Sequence, residues 1–252
     1  MVHIKTTEDI VHMRATCELA AKVLDFIAPH VKAGVTTNEL NDLCHKFICD
    51  HDAIPAPLNY YGFPKSICTS INEVVCHGIP GKQKLKDGDI CNVDITTILR
   101  GFHGDTSRTF QVGKVSETAK KIDRVAHEAL RRGIEVVKPG ITLGDIGHAI
   151  QTYVEGEGCS VVREYCGHGI GRKFHEEPQI LHYGKPGRGM RLREGMTFTI
   201  EPMVNIGKPA IKVLKDEWTV VTKDKSLSGQ YEHTILVTDT GHEILTSLNG
   251  QI

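Results

Sequence analysis

Apolar residues recur at helical spacing through the first fifty positions. Ile10, Leu19, Ala20, Val23, Leu24 and Ile27 share one face before Pro29 ends the run, and Thr7 stands where a capping residue belongs. The segment KAGVTTNEL then offers Thr36 and Glu39 as a capping box for a second helix through Leu43 and Phe47. Ser116 opens a third helix through Ile122, Ala126, Leu130 and Ile134, stopped by Pro139-Gly140. There KPGITLGDI matches KAGVTTNEL, with Lys138 answering Lys32 at an offset of 106 (138 − 32). The strands repeat as well. LKDGDICNVD, Leu85 to Asp94, and LREGMTFTIE, Leu192 to Glu201, lie 107 apart (192 − 85), and each runs from a glycine turn into a strand ending on a carboxylate. Two matches in the same order at almost one offset indicate two half-repeats, about 7–113 and 114–246, within a single domain spanning 1–252. Each half reads helix, helix, strands. The architecture expected is α+β, with equivalent strands of both halves side by side in a central sheet covered by helices.

Charge and composition narrow the function classes. Lys and Arg total 30 against 31 Asp and Glu, so there is no basic field on which direct nucleic-acid readout or membrane-surface binding could rest. With 40% hydrophobic residues the chain can bury a full core, which excludes a disordered protein. No apolar stretch approaches the roughly 18 residues of a bilayer span, and the start MVHIKTTEDIVHM has no signal-like run, so the expected compartment is the cytoplasm. Eight cysteines are scattered without a CxxC pair and read as reduced small hydrophobes rather than zinc ligands or disulfides.

The chemistry sits where acidic residues interrupt apolar strands. Asp94 follows Val93 in one strand. Asp105 begins a second strand after a turn near Arg100-Gly101, eleven positions on (105 − 94), so a hairpin brings the two together. TFTIEPMV and GQYEHTILV each place a glutamate, Glu201 and Glu232, inside an apolar run, although Glu is depleted in strands. CGHGIG adds His168 in a glycine-flanked loop. Buried anions in such a group persist only with a positive partner. Four carboxylates and one neutral imidazole match two divalent cations, and oxygen-rich donors with one imidazole favour Mn, Fe or Co alongside Zn.

These segments, NVDITTILRGFHGDTSRTF, CGHGIGRKFHEEP, TFTIEPMV and QYEHTILV with INEVVCHGIP upstream, resemble the type I methionine aminopeptidases over essentially the whole chain, from the first helix to LTSLNGQI. The resemblance implies the pseudo-symmetric pita-bread fold of the creatinase/aminopeptidase group, in agreement with the repeat. It implies that Asp105 and Glu232 bridge two metal ions, that Asp94 serves one of them, and that His168 and Glu201 serve the other. It further implies removal of an N-terminal methionine that precedes a small second residue, by attack of a metal-bound water or hydroxide. In that scheme Glu201 shuttles the proton, while His77 and His175 contact the substrate and stabilise the developing oxyanion. Tyr60, Phe63, Cys68, Phe174 and Trp218 match positions that line the methionine pocket. Phe63 stands where tyrosine is frequent, and Pro57 where several bacterial members carry cysteine.

A bacterial-style form is expected, because only 31 positions separate Glu201 from Glu232 (232 − 201), too few for the helical insert of type II enzymes. Other pita-bread peptidases, the Xaa-Pro dipeptidases and aminopeptidase P, share the five ligands but usually carry an additional N-terminal domain. The partner expected is a peptide or nascent-chain N-terminus beginning with Met. No apolar stripe demands a second copy, so a monomer is expected. The ribosome, where new N-termini emerge, is a context suggested by the activity and by no residue.

Overall fold

The structure, a computed structural model describing residues 2–248, contains the expected helices. The closing residues of the LTSLNGQI segment lie outside the described ones. Helix α1 spans Thr7–Ile27, but its cap is Thr6 and not Thr7. The reason is reciprocity. The hydroxyl of Thr6 accepts from the amide of Asp9 at 3.2 Å, and the Asp9 carboxylate accepts from the amide of Thr6 at 3.1 Å. Thr7 has Ile10 at the matching position and could form no such pair. Helix α2, Thr37–Asp50, is capped by Thr36 and Glu39 as expected. Helix α3, Glu117–Glu135, starts at Ser116, and α4, Leu143–Gly156, repeats the box of α2 with Thr142 and Asp145.

The repeat in the letters is also a repeat of backbone pairing. Ile54 pairs with Ile98 and Pro55 with Thr97; Ser160 pairs with Asn205 and Val161 with Val204, the same pattern 106 and 107 positions later (160 − 54, 205 − 98). The isolated bridges Thr36 to Lys84 and Thr142 to Arg191 repeat it again. In the first half, a hairpin of Ile90–Leu99 and Phe102–Gln111 turns at Arg100 and Gly101, both left-handed with φ of 53° and 79°. In the second half, Thr197–Ile200 pairs antiparallel with His233–Val237 and, on its other edge, with Gly167–Gly169. The halves meet where Ser107 and Glu232 exchange backbone hydrogen bonds, Glu232 N–H to Ser107 carbonyl at 3.0 Å.

Helices α1 and α2 bury Leu19, Val23, Ile27 and Leu40 against Val93 and Ile95 of the first half. Helices α3 and α4 do the same with Ile122, Leu130 and Ile150 against Phe198 and Ile200 of the second. This is the pita-bread arrangement, two pseudo-symmetric halves with antiparallel strands inside and helices outside. At Gly104 helix and sheet touch directly. A Cβ there would lie 2.6 Å from the amide nitrogen of Cys17 and 2.7 Å from the carbonyl carbon of Thr16. Backbone cannot move aside as a side chain can, so Gly104→Ala is expected to cost about 1–3 kcal/mol. Thermal unfolding should show it as a lower Tm, with activity at 25 °C retained. All eight cysteines are free, and of these only Cys49 is exposed. Among the described residues no helix is long and apolar enough to cross a membrane.

Candidate metal centre and substrate cleft

The long hairpin sets the first two carboxylates. Thr96 lies opposite Asp105, and Asp94 is two residues before Thr96, so Asp94 and Asp105 project from the same face of the sheet. Thr96 Oγ1 donates to Asp105 Oδ1 at 2.8 Å, which fixes one oxygen and leaves the other toward the cleft. Ser107, two residues beyond Asp105, brings Glu232 to the same face through the central bridge. The side chain of Thr234 braces this seam by donating to the Asp105 carbonyl at 2.8 Å.

Two details differ from the sequence reading. His168 lies in a short strand, Gly167–Gly169, and not in a loop. The flanking glycines allow that strand to approach its neighbours, since a Cβ at Gly167 would be 2.3 Å from the Thr199 carbonyl oxygen and one at Gly169 2.2 Å from that of Glu177. Glu201 and Glu232 fall at breaks between strands rather than inside them. Pro202 has no N–H to donate after Glu201, which explains the first break.

His168 is oriented from behind. Its Nδ1–H donates to the Gly169 carbonyl at 3.0 Å, so the Nε2 lone pair faces the acids, 3.7 Å from Asp105 Oδ2 and 3.6 Å from Glu201 Oε1. Donor atoms of Asp105, His168 and Glu232 all lie within 4.8 Å of one another. Thr199 links two members of the group, accepting from the His168 amide at 3.0 Å and donating to Glu201 Oε1 at 2.7 Å.

Burial, reinforced by the neighbouring acids, holds the carboxyls of Asp105 and Glu232 well above the usual carboxylate range. Burial likewise raises Asp94 and Glu201. Among the described residues no lysine or arginine is ion-paired with any of the four. Burial pushes His168 down to about 3, so it is a neutral donor rather than a counter-ion. Burial, converging oxygens, one imidazole lone pair and no ion-paired lysine or arginine make a donor set that fits divalent metal.

The acids form the floor of a cleft of about 950 Å³, and every residue expected at the site lines it. One wall is aromatic: Phe63 meets Trp218 edge-on at 5.1 Å, and His77 meets the same indole at 6.4 Å. Cys68 stands directly opposite Asp94 in the sheet, so its thiol is adjacent to the acids. On the other wall Phe174 stacks on His175 at 4.4 Å, and Tyr60 Oη lies 2.6 Å from His175 Nδ1. Burial lowers both His77 and His175 to about 4, so both imidazoles are neutral near pH 7. Cys76, Tyr165, Met203 and Gln230 also line the cleft and were not anticipated. Gln230, two residues before Glu232, could have been found by the alternation of a strand.

A buried cluster of acids and imidazole at the seam of a pseudo-symmetric fold fits a metal-dependent enzyme. The model of metallopeptidase family M24 matches residues 11–239, and the chain belongs to that family. Relatives at 56–60% identity are methionine aminopeptidases. The chain is 60% identical over 246 residues to the methionine aminopeptidase of Rickettsia prowazekii, covering 97% of this chain and 95% of that one. It is 59% identical over 247 residues to that of Escherichia coli K12, covering 97% and 94%. The crystal structure of the Rickettsia prowazekii enzyme superimposes with a TM-score of 0.97 over 98% of this chain and 100% of the other.

Proposed function

We propose that residues 1–252 form one catalytic domain that removes the N-terminal methionine from peptides and nascent proteins with a small second residue. The observation that carries this reading is the meeting, in one cleft, of five metal-type donors with an aromatic lining. Asp94, Asp105, His168, Glu201 and Glu232 would hold two divalent ions. Such ions, Co, Mn, Fe or Zn, supply Lewis acidity that activates water and polarises a carbonyl.

The chain's own residues do the rest. Phe63, Trp218, Tyr60 and Phe174 offer an unbranched thioether an aromatic slot, and the Cys68 sulfur adds a polarizable contact. His77 and His175, both lowered to about 4 and neutral near pH 7, present N–H donors to the scissile carbonyl oxygen as it gains charge. The Glu201 carboxylate, ionised when divalent metal is held, can take a proton from the attacking water and return it to the leaving amine. The same reading puts the enzyme in the cytoplasm as a monomer, acting on free peptides and on chains emerging from the ribosome.

The test is metal content and peptidase activity measured together, after chelation and re-addition of Mn, Fe, Co or Zn. Met-Ala-Ser should be cleaved only with metal, and far faster than Ala-Pro or Gly-Pro peptides. Faster cleavage of the Xaa-Pro bond would overturn the assignment.

A further inference from the structure

We propose that His182 is a positioning residue that holds Glu201 at its working distance from His168. The inference rests on the reading of the cleft as a two-ion aminopeptidase site. His182 is not among the residues that line the cleft. It is fully buried, and its Nε2 accepts from the backbone amide of Glu201 at 3.1 Å. A backbone amide can only donate, so Nε2 carries a lone pair and the single ring proton sits on Nδ1. That Nδ1 is buried and has no hydrogen-bond partner. The protein thus leaves a buried donor unmet, an arrangement that folding energetics disfavour, in order to place an acceptor at the Glu201 amide.

The local backbone explains the need. Ile200 is the last residue of its strand, paired with His233, and Pro202 has no N–H. The Glu201 amide is therefore the last donor before the break, beyond the reach of the sheet ladder. His182 supplies the missing acceptor from a neighbouring segment. It follows Ile180 by two residues, and Ile180 closes the strand Glu176–Ile180 that pairs with Gly167–Gly169, Gln179 lying opposite His168. His182 therefore ties the backbone of Glu201 to the strand pair that carries His168. Thr199 ties the same two residues again, its hydroxyl joining the His168 amide to the Glu201 carboxylate. With one link at each end, the 3.6 Å between His168 Nε2 and Glu201 Oε1 is set by the frame and not by the ligands themselves. In the proposed ligand assignment these two residues serve the same ion, so loosening His182 should weaken that ion and spare the other.

The test uses two variants with different reach. In His182→Gln the side-chain Oε1 reaches the position of Nε2 and can accept. In His182→Asn the shorter side chain ends near Nδ1 and cannot. Calorimetric titration of Mn(II) into the chelated proteins, with turnover of Met-Ala-Ser, should show one of the two ions bound about 10–100-fold more weakly in His182→Asn. Its kcat should fall by a similar factor with KM little changed, and His182→Gln should restore both. In the metal-free proteins, the Glu201 amide should exchange with solvent faster in His182→Asn than in wild type. A His182→Asn protein with wild-type isotherm and exchange overturns the proposal, as does a Gln variant that is folded and no better than Asn. Should His182→Asn fail to fold, ¹⁵N spectra of wild-type His182 still decide. The Nδ1–H tautomer is expected, and the Nε2–H tautomer overturns it. A wild-type protein that bound no metal would defeat the two-ion reading instead, leaving the tautomer and exchange measurements to judge His182.

Discussion

Replacing His168 with alanine is expected to lower turnover of Met-Ala-Ser by more than about 10²-fold while the far-UV circular dichroism stays native. Groups that only orient a metal ligand typically cost about 10–100-fold when removed, and His168 is placed as a ligand itself, so that range is a floor. The fold should survive because the strand around His168 is held by its backbone. Its amide donates to Thr199, and Gly167 and Gly169 pair with Ile180 and Glu176 on one side and Phe198 on the other. The imidazole contributes a single hydrogen bond of its own, to the Gly169 carbonyl. Losing it leaves a small polar space against the acids. Metal content should fall together with activity, which separates a lost ligand from a lost substrate contact. His175→Ala gives the contrast, keeping its metal while losing turnover. A His168→Ala protein that is active and fully metallated would refute the assignment.

How much of this was legible before folding depends on how local each signal is. Capping boxes are written within four residues, so Thr36 with Glu39 and Thr142 with Asp145 could be read, and the Thr6 cap was equally readable from Asp9. The four acids were legible because a carboxylate in an apolar run is anomalous wherever it sits, and because Asp94 and Glu201 recur at one offset. Thr199 and His182 were not. Each matters through a partner on another strand, and threonine in a strand or one histidine among 14 is unremarkable by itself. The strand breaks at Glu201 and Glu232 also depend on pairing, although Pro202 was a visible warning at the first.

Removing the metal should reverse the way stability responds to alkali. In the metal-free protein the folded pKa values of Asp94, Asp105, Glu201 and Glu232 all lie above their ordinary values of 3.8 and 4.5. A carboxyl raised in the fold stabilises it fully below the unfolded pKa, and that contribution is lost as pH rises through the folded one. The histidines whose pKa values are lowered act oppositely. His77, His168, His175, His182 and His233 are all lowered from 6.5, so their contribution is present above that pH and lost below it. Above pH 6.5 the imidazoles are mostly neutral in both states and the acids dominate the slope. There each proton still held by the folded site and absent from the unfolded chain costs about 1.4 kcal/mol per pH unit. At about 2–4 °C per kcal/mol, the Tm of chelated protein should drop by several degrees between pH 6.5 and about 8. With divalent metal in place the acids are already ionised in the fold, and this descent should vanish. Groups elsewhere titrate alike in both forms, so the difference between the two Tm curves isolates the cleft. The same protons must leave when metal enters, so metal affinity should rise with pH over this window and the heat of binding should depend on the buffer's ionisation enthalpy. Parallel curves for chelated and Mn-loaded protein would show that the four carboxyls do not carry the protons their burial requires.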